Sequence, residues 1–116
     1  SPELLSGIEK LGFEQPTPIQ EEVIPIVLKT ENDLVGLAQT GTGKTAAFGL
    51  PVIEQIDTTN KVVQALIITP TRELCIQIAN DLNNYSKHLK DIRIVPVYGG
   101  ASIDTQLRAL NKGAHI

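Results

Sequence analysis

The chain has 116 residues, enough for one small domain, and 41% of them are apolar, an ordinary share for a folded core. Its net charge is −3, which excludes a strongly basic surface overall, so any contact with nucleic acid must be local. The single cysteine, Cys75, excludes an internal disulfide framework, and no apolar run approaches the ~18 residues of a membrane span. Together these features predict a cytoplasmic protein.

The hydrophobic pattern alternates helices with short apolar strands, which is typical of an α/β fold with a parallel sheet and helices on both faces. Ser1-Pro2 and Thr17-Pro18 predict the starts of the first two helices, and Pro25 is expected to kink the second. A third helix is predicted over residues 44–56, and two more follow the later strands. The predicted strands cover residues 33–37, 65–69, 92–98 and 114–116. The last of these looks incomplete, so we expect a truncated, N-terminal part of a larger domain.

A glycine-rich loop lies between the first predicted strand and the third predicted helix. Glycines at two positions allow backbone conformations and a close approach that side chains would prevent. Backbone N–H groups at the start of a helix can then surround a phosphate group, with a lysine reaching the β- and γ-phosphates and a threonine hydroxyl holding Mg²⁺. The loop therefore predicts binding of ATP with Mg²⁺ through Ala38, Gln39, Thr40, Gly41, Thr42, Gly43, Lys44 and Thr45. Ala38 stands where the general phosphate-loop pattern has glycine.

The segment Gly12–Gln20 has two compatible interpretations. Thr17, Pro18 and Gln20 fit a capping box, in which the glutamine side chain accepts a hydrogen bond from the backbone at the start of the helix. The Gln20 amide also offers a donor beside an acceptor, which matches the N7 and N6 edge of adenine and not the corresponding edge of guanine. Gln20 could therefore favour ATP over GTP.

Four segments in order resemble motifs of the DEAD-box RNA helicases, a family with two RecA-like domains. Residues 12–20 resemble its Q motif, and residues 38–45 resemble its motif I, where alanine at the first position is usual. Residues 70–77 resemble motif Ia, and Gly99-Gly100, followed by Gln106, is similar to the double-glycine segment. The resemblance covers nearly the whole chain and implies the N-terminal part of the first RecA-like domain.

The resemblance also implies roles for individual residues. Gln20 and the motif I residues would bind ATP and Mg²⁺, with Lys44 and Thr45 as the catalytic positions and Thr45 on the metal. Phe13 occupies the aromatic position of the Q motif and would either contact the base or pack under the first helix. RNA would be bound through its phosphates and sugars, with little sequence preference, by Pro70, Thr71, Arg72, Glu73, Gly99 and Gly100.

For the intact protein the resemblance implies RNA-dependent ATP hydrolysis coupled to local unwinding of RNA duplexes, with the second RecA-like domain as a partner. The family's acidic box and second domain are not among these residues, so we expect residues 1–116 to bind nucleotide without hydrolysing it. Two alternatives stay open. One is another P-loop ATPase such as a DNA helicase, which would have no reason to carry the Gln20 segment. The other is a non-catalytic RecA-like module that binds RNA or protein.

Overall fold

The computed structural model describes residues 1–116 and contains five α-helices. Their bounds are α1 (Pro2–Lys10), α2 (Pro18–Lys29), α3 (Lys44–Glu54), α4 (Arg72–Tyr85) and α5 (Ile103–Asn111). None of them is long and apolar enough to cross a membrane. All five lie where the hydrophobic pattern predicted helices.

The helix ends follow from local chemistry. Proline occupies the first position of α1 and α2, where its missing N–H would have had no partner within the helix. Gly12, just beyond α1, has a φ of 86°, a conformation in which a side chain is strained. Pro25 lies inside α2, which continues to Lys29. The third helix also contains a proline, Pro51, and ends two residues before the predicted boundary.

The segments predicted as strands are not helical, and three of them are joined by backbone hydrogen bonds without forming a continuous ladder. The His115 N–H donates to the Arg93 carbonyl at 2.8 Å, and the Val95 N–H donates to the Ile116 carbonyl at 3.0 Å. On the other side, the Ala65 N–H donates to the His115 carbonyl at 3.1 Å. Residues 114–116 therefore lie between the other two segments, and the bonds to residues 93–95 run in the parallel sense.

The segment 33–37 has no backbone hydrogen-bonded neighbour among residues 1–116. Its Val35 and Leu37 side chains are 87% and 89% exposed, and alternate side chains of residues 65–69 are similarly exposed. A strand is defined by pairing, so an apolar segment without a bonded neighbour forms no ladder.

The core is mainly aliphatic and lies where α1, α3 and α4 meet. It is built from Leu4, Ala46, Leu50, Ile53, Ile78, Leu82 and Tyr85. Helix α2 packs against α3, and Phe13 closes one side of the core by an edge-to-face contact with Tyr85, with ring centroids 5.8 Å apart. Burial raises the pKa of the Tyr85 hydroxyl, and the Asp81 carboxylate raises it further, so Tyr85 is neutral at pH 7.

Replacing Leu82 with alanine is expected to lower the free energy of unfolding by about 2–5 kcal/mol, because Leu82 is 1% exposed and its deletion leaves a cavity between α3 and α4. Urea unfolding followed by circular dichroism measures this change. Leu107→Ala is the matched control, because Leu107 is 49% exposed on α5, and it should cost less than about 1 kcal/mol. Equal losses in the two variants would contradict the placement of the core.

Candidate functional site

The glycine-rich loop turns from segment 33–37 into α3 through two glycines in the left-handed region. Gly41 has a φ of 76°, and Gly43, the N-cap of α3, has a φ of 84°. Any other residue would be strained at either position. The sequence prediction that α3 begins at Lys44 is confirmed, so the loop ends at the positive end of a helix dipole.

Side chains hold the carbonyl oxygens of this loop. The Lys44 ammonium donates to the Ala38 carbonyl at 2.6 Å, which closes the loop on itself. The Thr42 hydroxyl donates to the Gln39 carbonyl, also at 2.6 Å. The carbonyl oxygens of the first two loop residues therefore both accept hydrogen bonds from side chains of the loop itself.

Two side chains at the start of α2 hold the rest of the loop. The Thr17 hydroxyl donates to the Thr42 carbonyl at 2.8 Å, and the Gln20 amide nitrogen donates to the Gly43 carbonyl at 3.2 Å. A Cβ atom on Gly43 would lie 2.4 Å from that nitrogen, so Gly43 is required by this contact as well as by its φ. The structure thus brings together the two segments for which the sequence predicted nucleotide binding.

The backbone N–H groups of the same loop are free. No N–H group of residues 39–46 donates to an acceptor within the chain, although four carbonyls between Ala38 and Gly43 accept side-chain hydrogen bonds. Free N–H groups at the N-terminus of a helix attract anions. The free N–H groups leave the loop able to surround a phosphate group, and binding of ATP by these residues stays a prediction.

Gln20 also forms the predicted contact at the start of its own helix. Its amide oxygen accepts from the Thr17 N–H at 3.0 Å, and its side chain is buried. An amide group has two N–H donors and two acceptor lone pairs, so one of each remains on Gln20 after these bonds. The capping contact is confirmed, while the contact with adenine stays a prediction. Phe13 packs against Tyr85 in the core, which is the structural role foreseen for it.

The residues predicted to bind nucleic acid lie together at the start of α4. The Thr71 hydroxyl caps the helix by accepting from the Leu74 N–H at 3.2 Å. Arg72 extends from the next position, 3.6 Å from the neighbouring Glu73 carboxylate and half exposed. A Cβ atom on Gly100 would lie 3.1 Å from the Arg72 guanidinium, so the double glycine and the start of α4 are adjacent. Pro70 and Gly99 are exposed beside them.

Two contacts at these sites were not predicted from the sequence. The first is the pair of hydrogen bonds from Thr17 and Gln20 to the loop, which join residues more than 20 positions apart. The second is the Gln106 side chain, whose amide oxygen accepts from the Tyr98 N–H at 2.9 Å and whose nitrogen donates to the Tyr98 carbonyl at 3.0 Å. The first pair has no local spacing signal, because it depends on how distant segments meet. Gln106 was singled out by its place after the double glycine, but that spacing did not identify Tyr98 as its partner.

Residues 1–116 contain no group of three or more His, Cys, Asp or Glu side chains placed to hold a metal ion. The His115 Nδ1 accepts a hydrogen bond from the Arg93 N–H at 2.9 Å. A divalent cation bound beside the glycine-rich loop would therefore need oxygen ligands from a nucleotide. Thr45 is the side chain that is predicted to join them.

Comparison of the sequence with known proteins identifies one family to which it is similar. A family model described as DEAD/DEAH box helicase matches residues 17–116. The chain is 53% identical over 116 residues to the DEAD-box ATP-dependent RNA helicase CshA of Bacillus cereus. It is 48% identical to the protein of the same name from Geobacillus kaustophilus. These alignments cover 100% of this chain but only 22% and 24% of the relatives.

Comparison with solved structures points to the same family. A DEAD box protein from Methanococcus jannaschii superimposes with a TM-score of 0.93 at 45% identity, over 100% of this chain and 31% of that one. The RNA helicase Prp28 from Chaetomium thermophilum, solved bound to ADP, gives 0.87 at 40% identity over 100% and 29%. The predicted RecA-like α/β fold is thereby confirmed. Since the family match extends over most of its residues, the chain belongs to the DEAD/DEAH box helicase family.

Proposed function

We propose that residues 1–116 form the nucleotide-binding and part of the RNA-binding surface of an ATP-dependent RNA helicase. One observation carries the nucleotide half of this proposal: the predicted base-reading Gln20 is hydrogen-bonded to the phosphate loop, at Gly43. The curated relatives are named as ATP-dependent RNA helicases, and this chain spans about a quarter of their length or less. Helicase activity is therefore proposed for the intact protein.

ATP would bind with its phosphates against the free N–H groups of residues 39–46. The loop residues fit such a group, because a Cβ atom on Gly41 would meet nothing within 4 Å and the N–H groups around it are unbonded. Lys44 would exchange the Ala38 carbonyl for phosphate oxygens, a charge-assisted contact that is stronger than the one it leaves. Mg²⁺ would be held by phosphate oxygens and the Thr45 hydroxyl, where it would neutralise phosphate charge.

Gln20 would read the base. Its amide is held in one orientation by Thr17 and Gly43, so the donor and acceptor left on it have fixed directions. Adenine offers a complementary pair, whereas guanine offers two acceptors on the corresponding edge. This arrangement favours ATP over GTP.

RNA would bind at the start of α4 and the adjacent double glycine. Arg72 supplies a half-exposed positive charge, and the N–H groups of Arg72 and Glu73 donate to no acceptor within the chain. Contacts of this kind are made to phosphates, so affinity should depend on salt and little on sequence. The partners of the intact protein would be RNA and a second RecA-like domain.

In the intact protein, ATP and RNA would together favour a closed arrangement of the two domains, and hydrolysis would release it. The residues described here supply phosphate binding, base selection and part of the RNA contact. We propose that they bind ATP without hydrolysing it, because the acidic box that the resemblance implies for orienting water is not among them.

Lys44→Ala should weaken ATP binding at least ~10-fold, because a hydrogen bond between charged groups is worth roughly 1.5–3 kcal/mol. Titration of a fluorescent ATP analogue measures this effect. Lys29→Ala is the matched control: Lys29 ends α2 about 16 Å from the end that contacts the loop, and its loss should leave affinity unchanged. Unaltered affinity in Lys44→Ala would refute the phosphate-binding assignment.

Gln20→Ala should reduce the preference for ATP over GTP by roughly 5- to 150-fold, since a bidentate amide–base pair is worth about 1–3 kcal/mol. Competition binding with the two nucleotides gives the ratio. Thr17→Val removes the hydrogen bond from the Thr17 hydroxyl to the loop but keeps the Gln20 amide. It should therefore weaken the binding of ATP and of GTP by the same factor. If Gln20→Ala lowers stability by about 1 kcal/mol without changing the ratio, Gln20 acts only as cap and loop anchor.

Arg72→Ala in the intact protein should weaken RNA binding and make its dependence on salt concentration shallower by about one unit of slope, because one phosphate contact is lost. Fluorescence anisotropy with a labelled oligonucleotide at several salt concentrations measures both. Lys87→Ala is the control cation, since Lys87 lies beyond the far end of α4, about 20 Å away. A slope that does not differ from wild type would remove Arg72 from the RNA site.

A further inference from the structure

Gln106 holds the backbone of one residue with both ends of its amide group. Its oxygen accepts from the Tyr98 N–H at 2.9 Å and its nitrogen donates to the Tyr98 carbonyl at 3.0 Å. A neighbouring strand would satisfy Tyr98 in the same way. The side chain therefore joins the two ends of the segment from residue 98 to residue 106, and the double glycine lies within that segment.

The enclosed turn has no backbone hydrogen bonds of its own. The N–H groups of Gly99, Gly100 and Ala101 donate to no acceptor within the chain, and the three residues are exposed. The turn is followed by Ser102, whose hydroxyl accepts from the Thr105 N–H to start α5. Its geometry must consequently be imposed from its two ends.

Apolar packing does little to fix that geometry. No residue of α5 is buried, and Ile103 and Leu107 on its apolar face are 70% and 49% exposed. Hydrogen bonds connect α5 and the residue after it to segment 92–98: Gln106 bonds the Tyr98 backbone, and the Arg93 guanidinium donates to the Lys112 carbonyl. Only the first of these lies next to the glycine turn.

We propose that Gln106 is a positioning residue for RNA binding. By holding Tyr98 it presents the unbonded N–H groups of Gly99 and Gly100 beside Arg72, where an RNA phosphate would be bound. This role rests on the proposed RNA-binding function, which it deepens by assigning part of the affinity to an uncharged side chain that does not itself contact RNA.

The test is Gln106→Leu in the intact protein. Leucine is a similar size and a good helix former, so α5 should persist while both hydrogen bonds to Tyr98 disappear. RNA affinity should fall roughly 3- to 10-fold with the salt dependence unchanged, because no charge is removed. ATP affinity measured without RNA should equal that of wild type, and hydrogen exchange of the Tyr98 amide should accelerate.

The matched control is Gln64→Leu. Gln64 holds Asp57 in the same two-ended way, accepting from its N–H at 2.9 Å and donating to its carbonyl at 2.8 Å. It precedes segment 65–69, at the opposite end from Thr71. Its loss should accelerate exchange at Asp57 and leave RNA affinity unaltered. Equal losses of RNA affinity in both variants would show a general effect on folding and overturn the proposal.

Two further results distinguish a failure of this proposal from a failure of the proposed RNA-binding function on which it rests. If Arg72→Ala weakens RNA binding but Gln106→Leu only accelerates exchange at Tyr98, Gln106 does no more than attach α5, and the positioning role is wrong. If neither variant alters RNA binding, the RNA site itself is misplaced, and the positioning role is overturned with it.

Discussion

The hydrogen bonds from Thr17 and Gln20 to the carbonyls of Thr42 and Gly43 are the constraint on which the site depends. A phosphate-binding loop must be ordered while its N–H groups stay free. Backbone pairing would order it at the expense of those donors. Side chains that donate to carbonyl oxygens order it without using any N–H group, since each peptide unit has one donor and one acceptor.

This constraint explains residue choices that would otherwise look independent. Gly43, the N-cap of α3, must lack a side chain because the Gln20 amide fills the space where its Cβ would be and because its left-handed φ would strain any side chain. The Gln20 amide must itself be held in place, and the Thr17 N–H at the start of α2 does this by donating to its oxygen. The packing of α2 against α3 carries both helices into this contact.

The ends of a helix are easier to predict from sequence than the partner of a strand, for a physical reason. A helix closes its hydrogen bonds within itself, so local signals such as Thr17-Pro18 and Gly43-Lys44 reveal where it begins. A strand closes its bonds with another segment, so residues 33–37 satisfy the apolar pattern without forming a ladder in this chain. The same limit applies to Gln20: spacing predicted its cap, but its bond to Gly43, 23 residues away, depends on tertiary packing.

The RNA-binding surface proposed here follows the rule that governs the phosphate loop. The glycine turn after Tyr98 keeps its N–H groups unbonded, and a glutamine from another element holds the backbone beside it. The two anchors differ in burial: Gln20 is 3% exposed between packed helices, whereas Gln106 is half-buried on a helix with no buried residue. The hydrogen bonds that the two glutamines make to the backbone are nevertheless all partly buried. Four different side chains hold carbonyl oxygens of the phosphate loop, whereas Gln106 alone holds the backbone at Tyr98. In the proposed RNA site the glycine turn therefore depends on one side chain, while the phosphate loop divides the same task among several.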